Sequence, residues 1–136
     1  MITFPKGGET PPVQLPQPRE FVADPRWPED IGRLFDEAGR SYAAGAYTSA
    51  AMTARKVLMA CAVDQGDADR KNFTEYVDYI VNSVLTFPKA RASIDRIRMI
   101  GNDATHKIVF VSREDAHRSL SIVAYMLGVI YALPTA

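Results

Sequence analysis

Apolar residues recur at three- and four-residue steps through most of the chain after position 28. Ile31, Leu34, Phe35, Ala38 and Tyr42 form the first such series. Pro28, Glu29 and Asp30 suit the start of that helix, where a proline sacrifices no hydrogen bond and acidic groups meet the positive end of the dipole. This predicts a first helix from Pro28 to Gly45. A second, from about Ala46 to Asp64, carries Tyr47, Ala50, Ala51, Ala54, Val57, Leu58 and Cys61 on one face, with small residues that permit close packing, and Gly66 stops it. Beyond the polar loop GDADRK, a third helix over 72–85 presents Phe73, Tyr76, Val77, Ile80 and Val84. Pro88 opens a fourth with Ile94, Ile97, Met99 and Ile100, which GNDATH is expected to interrupt before a short extended KIVFV.

Ser112, with Asp115 three residues on, reads as a capping box before a final helix to about Leu133. Its apolar residues Leu120, Ile122, Val123, Tyr125, Met126, Leu127, Val129 and Ile130 cover much of its circumference, which predicts a central place or a dimer interface. No strand pairing is needed and the connections are short. The fold class expected is all-α: an antiparallel bundle of four to five helices over residues 28–136.

Seven of the nine prolines stand at positions 5, 11, 12, 16, 18, 25 and 28, so residues 1–27 cannot sustain a helix or a central strand. They are expected to be an irregular, proline-rich tail or linker that adds little to the core up to about residue 24, with Trp27 as its docking point. PPVQLPQP suits a polyproline II ligand or, more simply, a spacer. YAAGAY has no second copy about 34 residues on, which argues against a solenoid.

Composition narrows the function classes. Sixteen basic residues balance sixteen acidic ones, so no global field draws the chain to nucleic acid or an anionic membrane, and any such binding must be local. The single cysteine, Cys61, excludes an internal disulfide and a CxxC zinc ribbon within the chain, and fits the cytoplasm; it reads as a core residue with no nearby base. MITFPKGGE has no apolar stretch after its lysine, and no membrane span is expected. There is no P-loop, no GxGxxG and no nucleophile elbow, so no cofactor is implied. His117 and Glu114 with Asp103 and His106 do not complete a ligand set at metal-binding spacing, so no metal is expected either.

Three segments carry the strongest signal: LFDEAGRSYAAGAYTSAAMTARKVLM, IDRIRMIGNDATH and SREDAHRSLSIVAYMLGVIYALP. Together, over roughly residues 28–134, they resemble the bacterial domain-of-unknown-function family numbered 4145, of the HEPN superfamily of helical bundles. The combination of R-x-x-G-N-x-x-x-H over Arg98–His106 with A-x-x-x-R-x-x-L over Ala51–Leu58 is its most specific part. The resemblance implies a dimer, an attachment to restriction and other defence proteins, and a site to be compared with the metal-independent ribonucleases of that superfamily.

Those enzymes use an arginine, four to six residues, then a histidine. A guanidinium clamps a phosphate bidentately while an imidazole moves a proton at a ribose hydroxyl. Asn102 and His106 fit the second half of the pattern, but Gly101 stands where the arginine belongs, and seven residues separate Arg98 from His106. Met59 likewise stands where the family usually has an acid. If the helix persisted, Arg98, Asn102 and His106 would lie along one face, turning about 40° and rising about 6 Å per step of four. In a two-fold dimer His106 could also meet the partner's arginine. Otherwise Asn102 and His106 would bond the backbone where Gly101 loosens the helix.

Arg98, Asn102 and His106 are therefore the candidate catalytic set. Arg55, Arg91, Arg96 and Arg98 are the candidate RNA or DNA contacts, the last three from a surplus of five basic over two acidic residues between Lys89 and Lys107. The reading that follows is an accessory or recognition domain, homodimeric, without robust catalysis. A degenerate ribonuclease and a purely structural dimerisation module are the alternatives.

Overall fold

The computed structural model describes residues 19–67, 72–86, 88–106 and 109–132, His106 by its backbone alone. Among the described residues the regular elements are all helical: α1 (Glu29–Ala43), α2 (Tyr47–Asp64), α3 (Phe73–Tyr79) running on into a π-helical turn (Ile80–Val84), α4 (Pro88–His106) and α5 (Arg113–Ile130). None is long and apolar enough to cross a membrane.

The apolar series found in the sequence become the core. Ile31, Phe35, Ala38 and Tyr42 of α1 are buried, as are Ala50, Ala51, Ala54, Val57, Leu58 and Cys61 of α2 and Phe73, Tyr76, Val77 and Ile80 of the third segment. The centre is α2 rather than the final helix, since α2 packs against all four others. Its alanines are the reason: with Ala50, Ala51, Ala54 and Ala62 buried, neighbours approach from several sides at once. Gly45 at φ +81° and Gly66 at φ +111° close α1 and α2 in the left-handed conformation that a side chain would strain.

Local chemistry sets the other boundaries. Asn72 caps α3, accepting from the Glu75 amide at 2.9 Å while its own amide donates to the Glu75 carboxylate, a complete capping box. Leu85 N–H donates to the Ile80 carbonyl at 2.7 Å, the five-residue step of the π turn. Ser112 Oγ accepts from the Asp115 amide at 3.1 Å, but the Asp115 carboxylate turns to Arg96 of α4 instead of back to the cap. Helix α5 ends at Ile130, and the expected terminus at Leu133 lies outside the described residues.

GNDATH does not interrupt α4, which continues to His106. Gly101 is buried, and Thr105 Oγ1 donates to its carbonyl at 2.8 Å, so the glycine serves a close approach and not a break. Of the following stretch, Val109–Val111 is irregular; Val111 is buried, its amide donating to Thr48 Oγ1 at 3.0 Å, whereas Phe110 is 92% exposed.

Residues 19–27 are irregular, but the expectation that the stretch up to residue 24 adds little to the core does not hold for Phe21. Its ring is buried, edge-on to Phe35 at 6.3 Å and to Tyr42 at 5.2 Å. Ala23 N–H donates to Asp36 Oδ1 at 2.8 Å, Arg19 Nη1 donates to the Asp36 carbonyl at 3.2 Å, and Trp27 meets Phe35 at 5.1 Å. A Cβ on Gly39 would stand 2.3 Å from the Phe21 carbonyl oxygen, so this strap lies directly on the α1 backbone.

Candidate functional site

Helix α4 carries Arg91, Arg96, Arg98 and Asn102, and α2 brings Arg55 to it. The α4 arginines are each engaged by a carboxylate: Arg91 with Asp78 at 3.3 Å, Arg96 with Asp115 at 3.3 Å, and Arg98 with Asp95 one turn back at 3.5 Å. These partners come from α3, α5 and α4 itself, and only Asp95 lies within the stretch where the basic surplus was counted. The surplus is therefore largely neutralised in space.

Because α4 persists, Arg98, Asn102 and the His106 backbone follow one another along one helix face. The Asn102 side chain is half-buried and makes no hydrogen bond with the described residues. The His106 side chain, the proton carrier of the candidate set, lies outside what is described.

Arg55 is different. Its guanidinium carbon lies 4.4 Å from the centre of the Phe73 ring. The side chain runs across Gly101, where a Cβ would stand 2.3 Å from Cδ and from Nη1 and 2.7 Å from Nε. Neither a carboxylate nor a hydrogen-bond acceptor among the described residues engages it, and burial lowers its pKa. Met59, one turn along α2, has no charge to offer it. Gly101, which removes the cation from α4 in the sequence pattern, thus makes the space through which α2 supplies one.

A second polar cluster lay beyond the sequence reading. His117 Nε2 pairs with Glu20 of the strap, His117 Nδ1 faces Ser121 Oγ at 3.4 Å, and Arg113 Nε donates to Tyr42 Oη at 3.3 Å, around a cleft of about 630 Å³. The four-residue spacing of Arg113, His117 and Ser121 on α5 is legible, but nothing local joins them to Glu20, 97 residues before the histidine.

Neither the comparison with curated proteins nor that with solved structures gives a match. One family model does match, over residues 36–136, a span that takes in α2, α4 and α5 whole together with the Arg55 and Gly101 contact. The chain thus belongs to the family described as domain of unknown function DUF4145.

Proposed function

We propose that the chain is a HEPN-like accessory or recognition domain that acts as a homodimer in the cytoplasm, alongside restriction or other defence proteins, without robust catalysis. The observation that carries recognition over cleavage is the commitment of Arg98 to Asp95. A phosphate arriving at Arg98 competes with a carboxylate already paired with the Nε side of its fork. Such exposed pairs are worth only about 0–1 kcal/mol, enough to weaken a clamp that stands a turn from its proper place. The defence setting rests on the sequence resemblance. The persistence of α4 to His106 favours a second reading, a degenerate ribonuclease using Arg98, Asn102 and His106.

The dimer is supported by α5. Leu120, Val123, Met126 and Leu127 face the core, whereas Tyr125 is 63% exposed and Val129 40%, with half-buried Ile122 completing the strip at steps of three and four. A second copy turned about a two-fold axis can cover this strip with its own. Light scattering at high micromolar concentration should therefore give twice the chain mass, and Tyr125→Glu should shift the equilibrium toward single chains without lowering helicity. A monomer at that concentration would contradict the dimer.

A further inference from the structure

We infer that Arg55 is the centre of an anion-binding site that takes one phosphate group, held where α2 crosses Gly101 of α4 beside Phe73. The inference deepens the recognition reading by naming the class of ligand, and it rests on that reading for its purpose but not for its chemistry. A guanidinium carries five N–H donors and a charge that is costly to shield from water without a partner. Here the stem is fixed by packing on Gly101, one face is covered by the Phe73 ring, and the described residues bring no acceptor. The aromatic contact stabilises the cation by only about 0.5–2 kcal/mol and accepts none of its hydrogen bonds. A phosphate supplies both the opposite charge and a pair of oxygens at the spacing of the fork.

The surroundings set the size of the ligand. Polymer binding needs a run of free cations, and Arg91, Arg96 and Arg98 are held by Asp78, Asp115 and Asp95. Of the four candidate arginines Arg55 alone has no carboxylate among the described residues, so the site suits a single terminal or small-molecule phosphate rather than the interior of a nucleic-acid backbone.

The test uses the full chain, titrated with inorganic phosphate, with adenosine 5′-monophosphate and with adenosine, while the Arg55 Nε–Hε resonance is followed. Both phosphates should move that resonance saturably, and adenosine should not; preference for the nucleotide over inorganic phosphate identifies a phosphomonoester of a larger molecule. Arg55→Met keeps the packing stem and should weaken phosphate binding at least tenfold while leaving the melting temperature unchanged or raised, because no partner is orphaned. Gly101→Ala should displace the side chain and also weaken binding. An unmoved resonance, or binding that survives Arg55→Met, overturns the inference. So does loss of folding in Arg55→Met, because it means that the cation serves a structural partner. A dimer that ignores phosphate removes this inference alone, and a monomer that binds phosphate through Arg55 removes only the dimer.

Discussion

Phe21→Ala is expected to destabilise the fold by about 3 kcal/mol, lowering the melting temperature by roughly 10 °C or more. The ring sits in a cluster with Phe35, Tyr42 and His117, and nothing adjacent in sequence could close the void that its removal leaves. Gly39→Ala should cost at least as much from the other side, because its Cβ meets the Phe21 carbonyl, a backbone atom that cannot rotate away. Both changes lift the same strap, so the double variant should be far less destabilised than the sum of the two. Thermal melts of the three variants decide it. Additive losses, or a Phe21→Ala loss below about 1 kcal/mol, would mean that the strap is not one cooperative piece of the domain.

A comparable effect is expected at high pH. Burial pushes the Cys61 thiol up to about 11, against an ordinary value near 9. Burial, followed by the hydrogen bond to Asp64, also raises the Tyr131 phenol, whose hydroxyl lies 2.6 Å from that carboxylate and 3.8 Å from Cys61 Sγ. A folded-state pKa above the unfolded one means that, between the two, the unfolded chain has released a proton that the folded chain retains. Stability is then intact below pH 9 and falls as pH rises from 9 toward 11, by about 3 kcal/mol for the thiol alone. Cys61→Ala should flatten that part of the pH profile. Alkylation of the native thiol at pH 8 as fast as that of a free cysteine would show that the burial is wrong.

Much of the fold was legible because its signals are local. The apolar period of α1, the alanine face of α2 and the two glycine stops depend on residues within a turn or two of each other, and each reappears at its expected place. The Asn72–Glu75 capping box is equally local, three residues apart before Phe73, but is not among the sequence expectations. The failures share a different cause. Gly101 was read as a helix breaker because the residue that occupies its missing side-chain space, Arg55, is on another helix. Phe21 was assigned to a tail because prolines surround it, although one aromatic residue landing on α1 is enough to fix a strap. Met99 and Tyr125, expected to be apolar-face residues, are more than half exposed, since neighbouring helices cover only part of α4 and α5.

The site divides along the same line. The spacing of Arg98, Asn102 and His106 on one helix could be worked out from α-helical geometry, and α4 does run through all three positions. Which arginine is free could not be, because that depends on carboxylates 13 and 19 residues away in Asp78 and Asp115. Arg55 was one basic residue among several until the fold left it unpaired.

Recognition without cleavage is tested most directly by incubating the purified full chain with RNA in the presence of a chelator and following the products over hours. The account predicts intact RNA, because Arg98, the guanidinium on the same helix as His106, is paired with Asp95, and a proton carrier whose substrate is not clamped forgoes most of the roughly 10²–10⁴ that positioned acid–base groups supply. Metal-independent cleavage that disappears in both Arg98→Ala and His106→Ala, each still folded, would contradict it and make the chain a ribonuclease.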